Sequence, residues 1–147
     1  MAILFYRTTG TYGCFSNFSR HPIEVGGRTW PTTEHRFQAM KFPDDPDIQE
    51  RIRLARTPAD AKRLAWNHAG LRPDWDRVRD EVMLEALRAK FAQHPKLARI
   101  LLSTGDEELV EHTEKDSYWG DGGDGSGTNR LGQLLMQVRR ELVAGST

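Results

Sequence analysis

At 147 residues, with 29% charged side chains and a negative mean hydropathy, the sequence suits an ordinary soluble protein of one domain, long enough to bury a core. Basic and acidic residues balance at 21 each, which argues against bulk attraction to duplex nucleic acid and leaves only a local basic patch open. The single cysteine, Cys14, excludes an internal disulfide framework and fits a reducing cytoplasm.

In chain order, Ile3 to Tyr6 read as a short apolar strand, and Thr8 to Ser19 as a turn-rich loop. The N-terminus MAILFYRTTG has neither the basic nor the long apolar region of a secretory signal. Pro22 to Val25 and Arg28 to Trp30 flank Gly26-Gly27, a plausible two-residue hairpin turn. Pro31-Thr32-Thr33 then offers a capping hydroxyl before a helix from Glu34 to Phe42, which Pro43 ends. A second helix is expected over Asp47 to Ala55. Thr57-Pro58-Ala59-Asp60 opens a third, running to about Asn67, with proline at its first position.

Asp74 to Gln93 carries the strongest helical pattern, with Trp75, Val78, Val82, Ala86 and Phe91 at three- to five-residue steps. Pro95 to Leu102 continues as a short helix, and Leu109 to His112 as a strand or extended segment. Leu131, Leu134, Leu135, Val138 and Leu142 mark a last amphipathic helix. Trp66, Trp75 and Phe91 are expected in the core, and Arg51, Arg53, Arg56, Lys62 and Arg63 on a solvated face. No stretch approaches membrane-spanning length. The fold class that results is α+β, mostly α-helical, with a few short N-terminal strands, as one compact domain over residues 1–147.

Between the last two elements lies SYWGDGGDGSGTNR, residues 117–130. An EF-hand loop needs alternating oxygen ligands and a closing glutamate, whereas Asp121 and Asp124 are three apart and no glutamate follows until Glu141. Gly120, Gly122 and Gly125 match a dinucleotide fingerprint only by accident, because no strand–loop–helix unit surrounds them. The histidines show no zinc-ligand spacing, so neither metal nor cofactor is expected. Two possibilities remain for the loop. One is a solvated surface segment. The other is a binding wall, in which glycines turn backbone N–H groups toward an anion and Asn129 caps a helix that starts at Arg130. In that case Trp119, beside Tyr118, offers a flat face for a base.

The helix WPTTEHRFQAMKF supplies a second constellation. At about 100° per residue, Gln38 lies roughly 40° from Glu34 and Lys41 about 20° to the other side, so the three share one stripe that Phe37 borders. A surface stripe with a Glu–Lys contact is the plain alternative. His35 falls off the stripe and suits a structural role. In the preceding loop, Asn17 and Phe18 fit hydroxyl or base recognition.

The blocks FYRTTGTYGCFSNF, WPTTEHRFQAMKF, ALRAKF, LVEHT and YWGDGGDGSGTNRLGQLLM, in that order, resemble the NADAR family (NAD- and ADP-ribose-associated), in particular its YbiA-like members. The similarity runs from about Leu4 to Leu142. Arg36 departs from the pattern, which commonly has an aromatic there. It lies across the helix from Glu34, so an effect on packing or an edge contact is expected.

The resemblance implies an N-glycosidase acting on phosphorylated ribosylamino-pyrimidine intermediates of riboflavin synthesis. Other branches of the family remove ADP-ribose from guanine in DNA, and a non-catalytic ADP-ribose or nucleotide-binding module is a further alternative. On this view Glu34, Lys41 and Asp121 are the candidate catalytic groups. Asn17, Phe18, Gln38, Tyr118, Trp119, Gly120, Gly122, Gly123, Asn129 and Arg130 are the candidate substrate contacts. Glu34 suits a base or charge stabiliser, and a neutral Lys41 could form an imine with a ring-opened sugar. The expected partner is a small phosphorylated ribosylamine, with ADP-ribosylated guanine in DNA as the alternative. No membrane association is expected, and the oligomeric state is left open.

Overall fold

The computed structural model describes residues 1–145; Ser146 and Thr147, the end of the expected domain, lie outside the described residues. Among the described residues there are six α-helices and four short strands in two separate two-stranded sheets, so the α+β, mostly helical class holds. Backbone contacts divide the chain into two units, one of Arg20–Lys90 and one of Met1–Ser19 with the chain from Phe91 onward.

The unit Arg20–Lys90 opens with a hairpin. Its strands β2 (Ile23–Val25) and β3 (Arg28–Trp30) pair antiparallel, with Ile23 opposite Trp30. Gly26 and Gly27 have φ of 64° and 80°. Two consecutive left-handed residues make the turn whose twist matches the strands, and glycine adopts them without a Cβ penalty. Helix α1 (Thr33–Ala39) begins where Thr32 Oγ1 accepts from His35 N at 3.1 Å. It ends at Ala39, three residues before the expected stop. Lys41 N donates to Gln38 O and Phe42 N to Ala39 O, so the chain leaves the helix through tighter i→i−3 turns.

Helices α2 (Pro46–Arg53) and α3 (Pro58–Trp66) each start with proline behind a capping oxygen, from Asp45 and Thr57 respectively. Ala39, Ala61 and Ala65 sit in the core with Ile23, Trp30, Phe42, Ile48 and Ile52. Small residues on the facing surfaces of α1 and α3 let the helices approach closely. That choice displaces Trp66. It follows Ala65 by about 100° on the helix and is 84% exposed, contrary to the core position expected from its size. Helix α4 (Trp75–Gln93) buries Met83, Leu84, Ala86, Leu87 and Lys90. Val78 and Val82, expected in that stripe, are only half-buried. They line a shallow hollow with Glu81, Glu85 and Arg88.

In the other unit, β1 (Ala2–Phe5) pairs in parallel with β4 (Glu108–Glu111), Phe5 opposite Glu111. A short 3-10 turn spans Gly13–Phe15, and helices α5 (Pro95–Ser103) and α6 (Arg130–Gly145) complete it. Phe15 is fully buried, edge-on to Phe5 at 5.7 Å and tilted against Phe91 at 6.3 Å. Trp75 and Phe91 are buried as expected.

α6 meets β4 through Gly132, where an added Cβ would stand 2.0 Å from Leu109 O. Backbone on the other side cannot swing away as a flexible side chain would. Gly132→Ala should therefore lower unfolding stability by about 3 kcal/mol in urea titrations. Gly145→Ala, where a Cβ meets nothing within 4 Å among the described residues, should change it by less than about 0.5 kcal/mol.

Candidate functional site

The α1 cluster is built from the cap outward. His35, one residue from Glu34, is fully buried with Nε2 3.0 Å from Ala55 O and Nδ1 2.8 Å from Thr32 Oγ1. A carbonyl only accepts, so Nε2 carries the proton and a neutral ring takes its second bond from the Thr32 hydroxyl. Burial, the largest influence, lowers the His35 pKa from its ordinary value and favours that neutral form. The ring thus has the structural role expected of it, joining the start of α1 to the turn that follows α2.

Glu34 is 7% exposed, and Gln38 one turn later donates from Nε2 to Glu34 Oε2 at 2.6 Å. The carboxylate oxygen can only be the acceptor there, which fixes the orientation of the amide. Gln38 Oε1 is then left buried with no hydrogen-bond partner among the described residues. Such an acceptor costs about 1–3 kcal/mol.

Lys41 reaches this cluster from the turn that follows α1, not from the helical stripe the sequence predicts. Its Nζ lies 6.0 Å from the ring centroid of Phe37 and 5.8 Å from that of Trp75. Those rings pack on each other at 5.0 Å. Burial pushes the Lys41 pKa below its ordinary value, and Lys62 adds to the effect; the nearby Glu34 charge opposes both. Arg36 points elsewhere, with Nη2 2.8 Å from Glu85 Oε1 and its guanidinium over Trp30 at 5.9 Å. It makes the edge contact anticipated for it.

The glycine loop is held together by its own carboxylates. Asp121 is 5% exposed, and its Oδ1 accepts from Thr113 N at 3.0 Å and Gly123 N at 2.9 Å. Its Oδ2 lies 2.7 Å from His112 Nδ1. The His112 hydrogen bond, followed by the two backbone donors, holds the Asp121 carboxyl at about 2 against the opposing effect of burial. With both oxygens engaged and an acidity that keeps it ionised, Asp121 anchors the loop.

The backbone N–H groups expected to form an anion cradle are engaged within the loop. The N–H groups of Gly122, Gly123, Ser126 and Gly127 donate to Asp116 O, Asp121 Oδ1, Asp124 Oδ1 and Asp121 O. Arg130 N and Leu131 N, at the start of α6, donate to Tyr118 O and Trp119 O. An anion would have to displace these bonds.

Asn129 is not the side-chain cap expected of it. It adopts φ 54°, and its amide reaches β4, accepting from Glu111 N at 2.9 Å and donating to Leu109 O at 2.9 Å. Arg130 is the first residue of α6 and donates from Nη1 to Gln133 Oε1. Tyr118 and Trp119 are half-buried and edge-on to each other at 4.9 Å, with both backbone N–H groups held by Asp116 Oδ1. Gly120 is buried, and a Cβ there would stand 2.7 Å from the Thr113 methyl. In the N-terminal loop Asn17 is buried and Phe18 half-buried, above a turn in which Ser16 Oγ accepts from Phe18 N.

The structure therefore brings Glu34, Gln38 and Lys41 together in one unit. Asn17, Phe18 and the loop residues from Tyr118 to Arg130 lie in the other. His112 was not singled out in the sequence. Its ring is half exposed, with Nδ1 fixed by the ionised Asp121, the way an orienting carboxylate holds an imidazole. Nothing adjacent in sequence marks it, because its partner lies nine residues on.

The NADAR domain family matches residues 4–143. The chain belongs to the NADAR family. Over 142 residues it is 53% identical to the N-glycosidase YbiA of Shigella boydii, spanning 96% of this chain and 88% of that one. It is 48% identical over 141 residues to a riboflavin biosynthesis protein of Vibrio vulnificus, covering 95% of this chain and 38% of that longer protein. The solution NMR structure of Escherichia coli YbiA superposes with a TM-score of 0.91 at 51% identity, covering 99% of this chain and 86% of that one. No helix among the described residues of this NADAR chain is long and apolar enough to cross a membrane.

Because the Asp121 carboxyl is depressed from 3.8 to about 2, its contribution to stability is complete above pH 3.8 and is lost as pH falls through 2. Asp121→Asn should lower the thermal midpoint of this NADAR domain by several degrees at pH 7. The gap to the unsubstituted protein should close as the pH approaches 2, followed by circular dichroism.

Proposed function

We propose that the chain is an N-glycosidase that hydrolyses the bond between ribose and an exocyclic amine of a heterocyclic base. Its proposed substrates are the phosphorylated ribosylamino-pyrimidine intermediates of riboflavin synthesis. The observation that carries this reading is the buried Glu34–Gln38 pair beside a desolvated Lys41. The relatives' names, N-glycosidase and riboflavin biosynthesis protein, support the same reaction and pathway. The buried Cys14 suits a cytoplasmic enzyme.

Cleaving a C–N glycosidic bond builds positive charge at the anomeric carbon, and a buried carboxylate stabilises that charge more strongly than one in water. Glu34 is the group proposed for this. A glycosylamine also opens reversibly to an imine. Neutral Lys41 can then add to C1, and expulsion of the base as a free amine leaves a lysine imine. Water hydrolyses that imine, returning Lys41 and releasing ribose phosphate. Glu34 carries protons between the two nitrogens. The burial of Lys41 favours this route by increasing its neutral fraction. Asp121 and His112 keep the Tyr118–Trp119 segment in place.

With a ribosylamino-pyrimidine phosphate as substrate, Glu34→Gln should lower kcat at least about 100-fold while KM stays within about threefold. Release of ADP-ribose from a modified guanine oligonucleotide, without release from the pyrimidine, would replace the substrate class. Tight binding with no turnover of either would make the chain a binding module. Borohydride added during turnover should reduce the lysine imine, giving a covalent sugar adduct at Lys41 by mass spectrometry. If turnover proceeds and no adduct forms, water attacks directly.

A further inference from the structure

Gln38 is 3% exposed, and its two amide ends have different surroundings. Nε2 is committed to Glu34 Oε2 at 2.6 Å, while Oε1 is buried with no partner among the described residues. A helix that needed only a partner for Glu34 could place the amide at its edge, where water would satisfy the oxygen. Here the oxygen is enclosed, so the site contains an acceptor that a ligand donor can complete.

The acceptor also has a fixed neighbour. Because one amide joins them, Oε1 and the Glu34 carboxylate form an adjacent pair of acceptors, and the Glu34 charge acts on Lys41. Two acceptors side by side match a vicinal cis-diol, whose hydroxyls donate from neighbouring carbons. A ring amine offers its donors from a single atom. A carboxylate hydrogen-bonded to a sugar hydroxyl also strengthens its bond as the oxocarbenium-like centre forms.

We propose that Gln38 Oε1 accepts a hydrogen bond from a hydroxyl of the ribose cis-diol, making Gln38 the residue that selects ribosyl over deoxyribosyl substrates. This rests on the N-glycosidase reading only in taking a ribosyl group as the ligand. Gln38 contributes specificity, and Glu34 the charge stabilisation.

The test uses ribose 5-phosphate, 2-deoxyribose 5-phosphate and 3-deoxyribose 5-phosphate as ligands of the unsubstituted protein, with affinities from isothermal calorimetry. Losing the hydroxyl that faces Oε1 strands a buried acceptor, so one deoxy sugar should bind about 10- to 100-fold more weakly than ribose 5-phosphate. In Gln38→Met, which keeps the length of the side chain without the acceptor, that preference should collapse to within about threefold. Equal binding of all three sugars to the unsubstituted protein overturns the proposal, as does a preference that survives in Gln38→Met. Failure to bind ribose 5-phosphate at all counts against it equally. Binding without catalysis keeps the two ideas separable: a ribose preference in a protein that turns over no ribosylamine would sink the enzymatic reading and leave this assignment standing.

Discussion

A carboxylate stays in a protein interior only when donors replace the water it leaves behind, and this chain meets that requirement in two different ways. Asp121 is enclosed by a histidine and two backbone N–H groups that fill both of its oxygens. Glu34 is met by a side-chain amide that brings an unsatisfied oxygen of its own. In the first arrangement the ionised form is stabilised and the surrounding loop is fixed. In the second, one polar group is held by another that is itself incomplete. Saturation gives a structural anchor, and incompleteness gives a place for a ligand.

The glycines of residues 120–127 follow from the first arrangement. For the Asp121 oxygens to be reached by Thr113 and Gly123, the loop must fold tightly back on itself. A Cβ at Gly123 would stand 2.6 Å from the Glu114 side chain, and one at Gly127 2.6 Å from Gly120 O. Gly122 and Gly123 are also left-handed, which other residues adopt at a cost. These glycines therefore serve the fold of the loop directly. The segment it fixes carries Tyr118 and Trp119, whose rings stand edge-on to each other.

Much of the fold was legible because it is written locally. The hydroxyls of Thr32 and Thr57 cap the helices they precede, and Gly26-Gly27 turns the hairpin. These signals depend on residues three or four positions apart. The misreadings share another cause, since each was decided by something distant in sequence. Helical periodicity puts Lys41 on the Glu34 stripe, but the helix stops at Ala39 and Arg72 N donates to Lys41 O. The size of Trp66 suggests a core position, whereas the alanines of α3 take the core beside α1. Asn129 has the composition of a cap, yet its amide is taken by strand β4, twenty residues earlier. Within the candidate site, Glu34 and Gln38 were found because one helical turn separates them. The link between His112 and Asp121 was not, because it requires the folded loop.

The early end of α1 has a chemical consequence of its own. On a continuous helix, Lys41 would stand about 10 Å along the axis from Glu34, seven residues at the usual rise, and would extend along the helix surface. Leaving through i→i−3 turns instead sets its ammonium beside Phe37 and Trp75. Apolar rings withdraw water from a lysine, whereas a nearby carboxylate restores the preference for charge. Lys41 experiences both, with desolvation the larger effect. A group balanced in this way can change protonation state when a ligand displaces the remaining water or engages Glu34. The same ligand would complete the Gln38 oxygen. The unsatisfied amide and the destabilised ammonium therefore both raise the energy of the protein on its own, a pattern expected where stability has been exchanged for function.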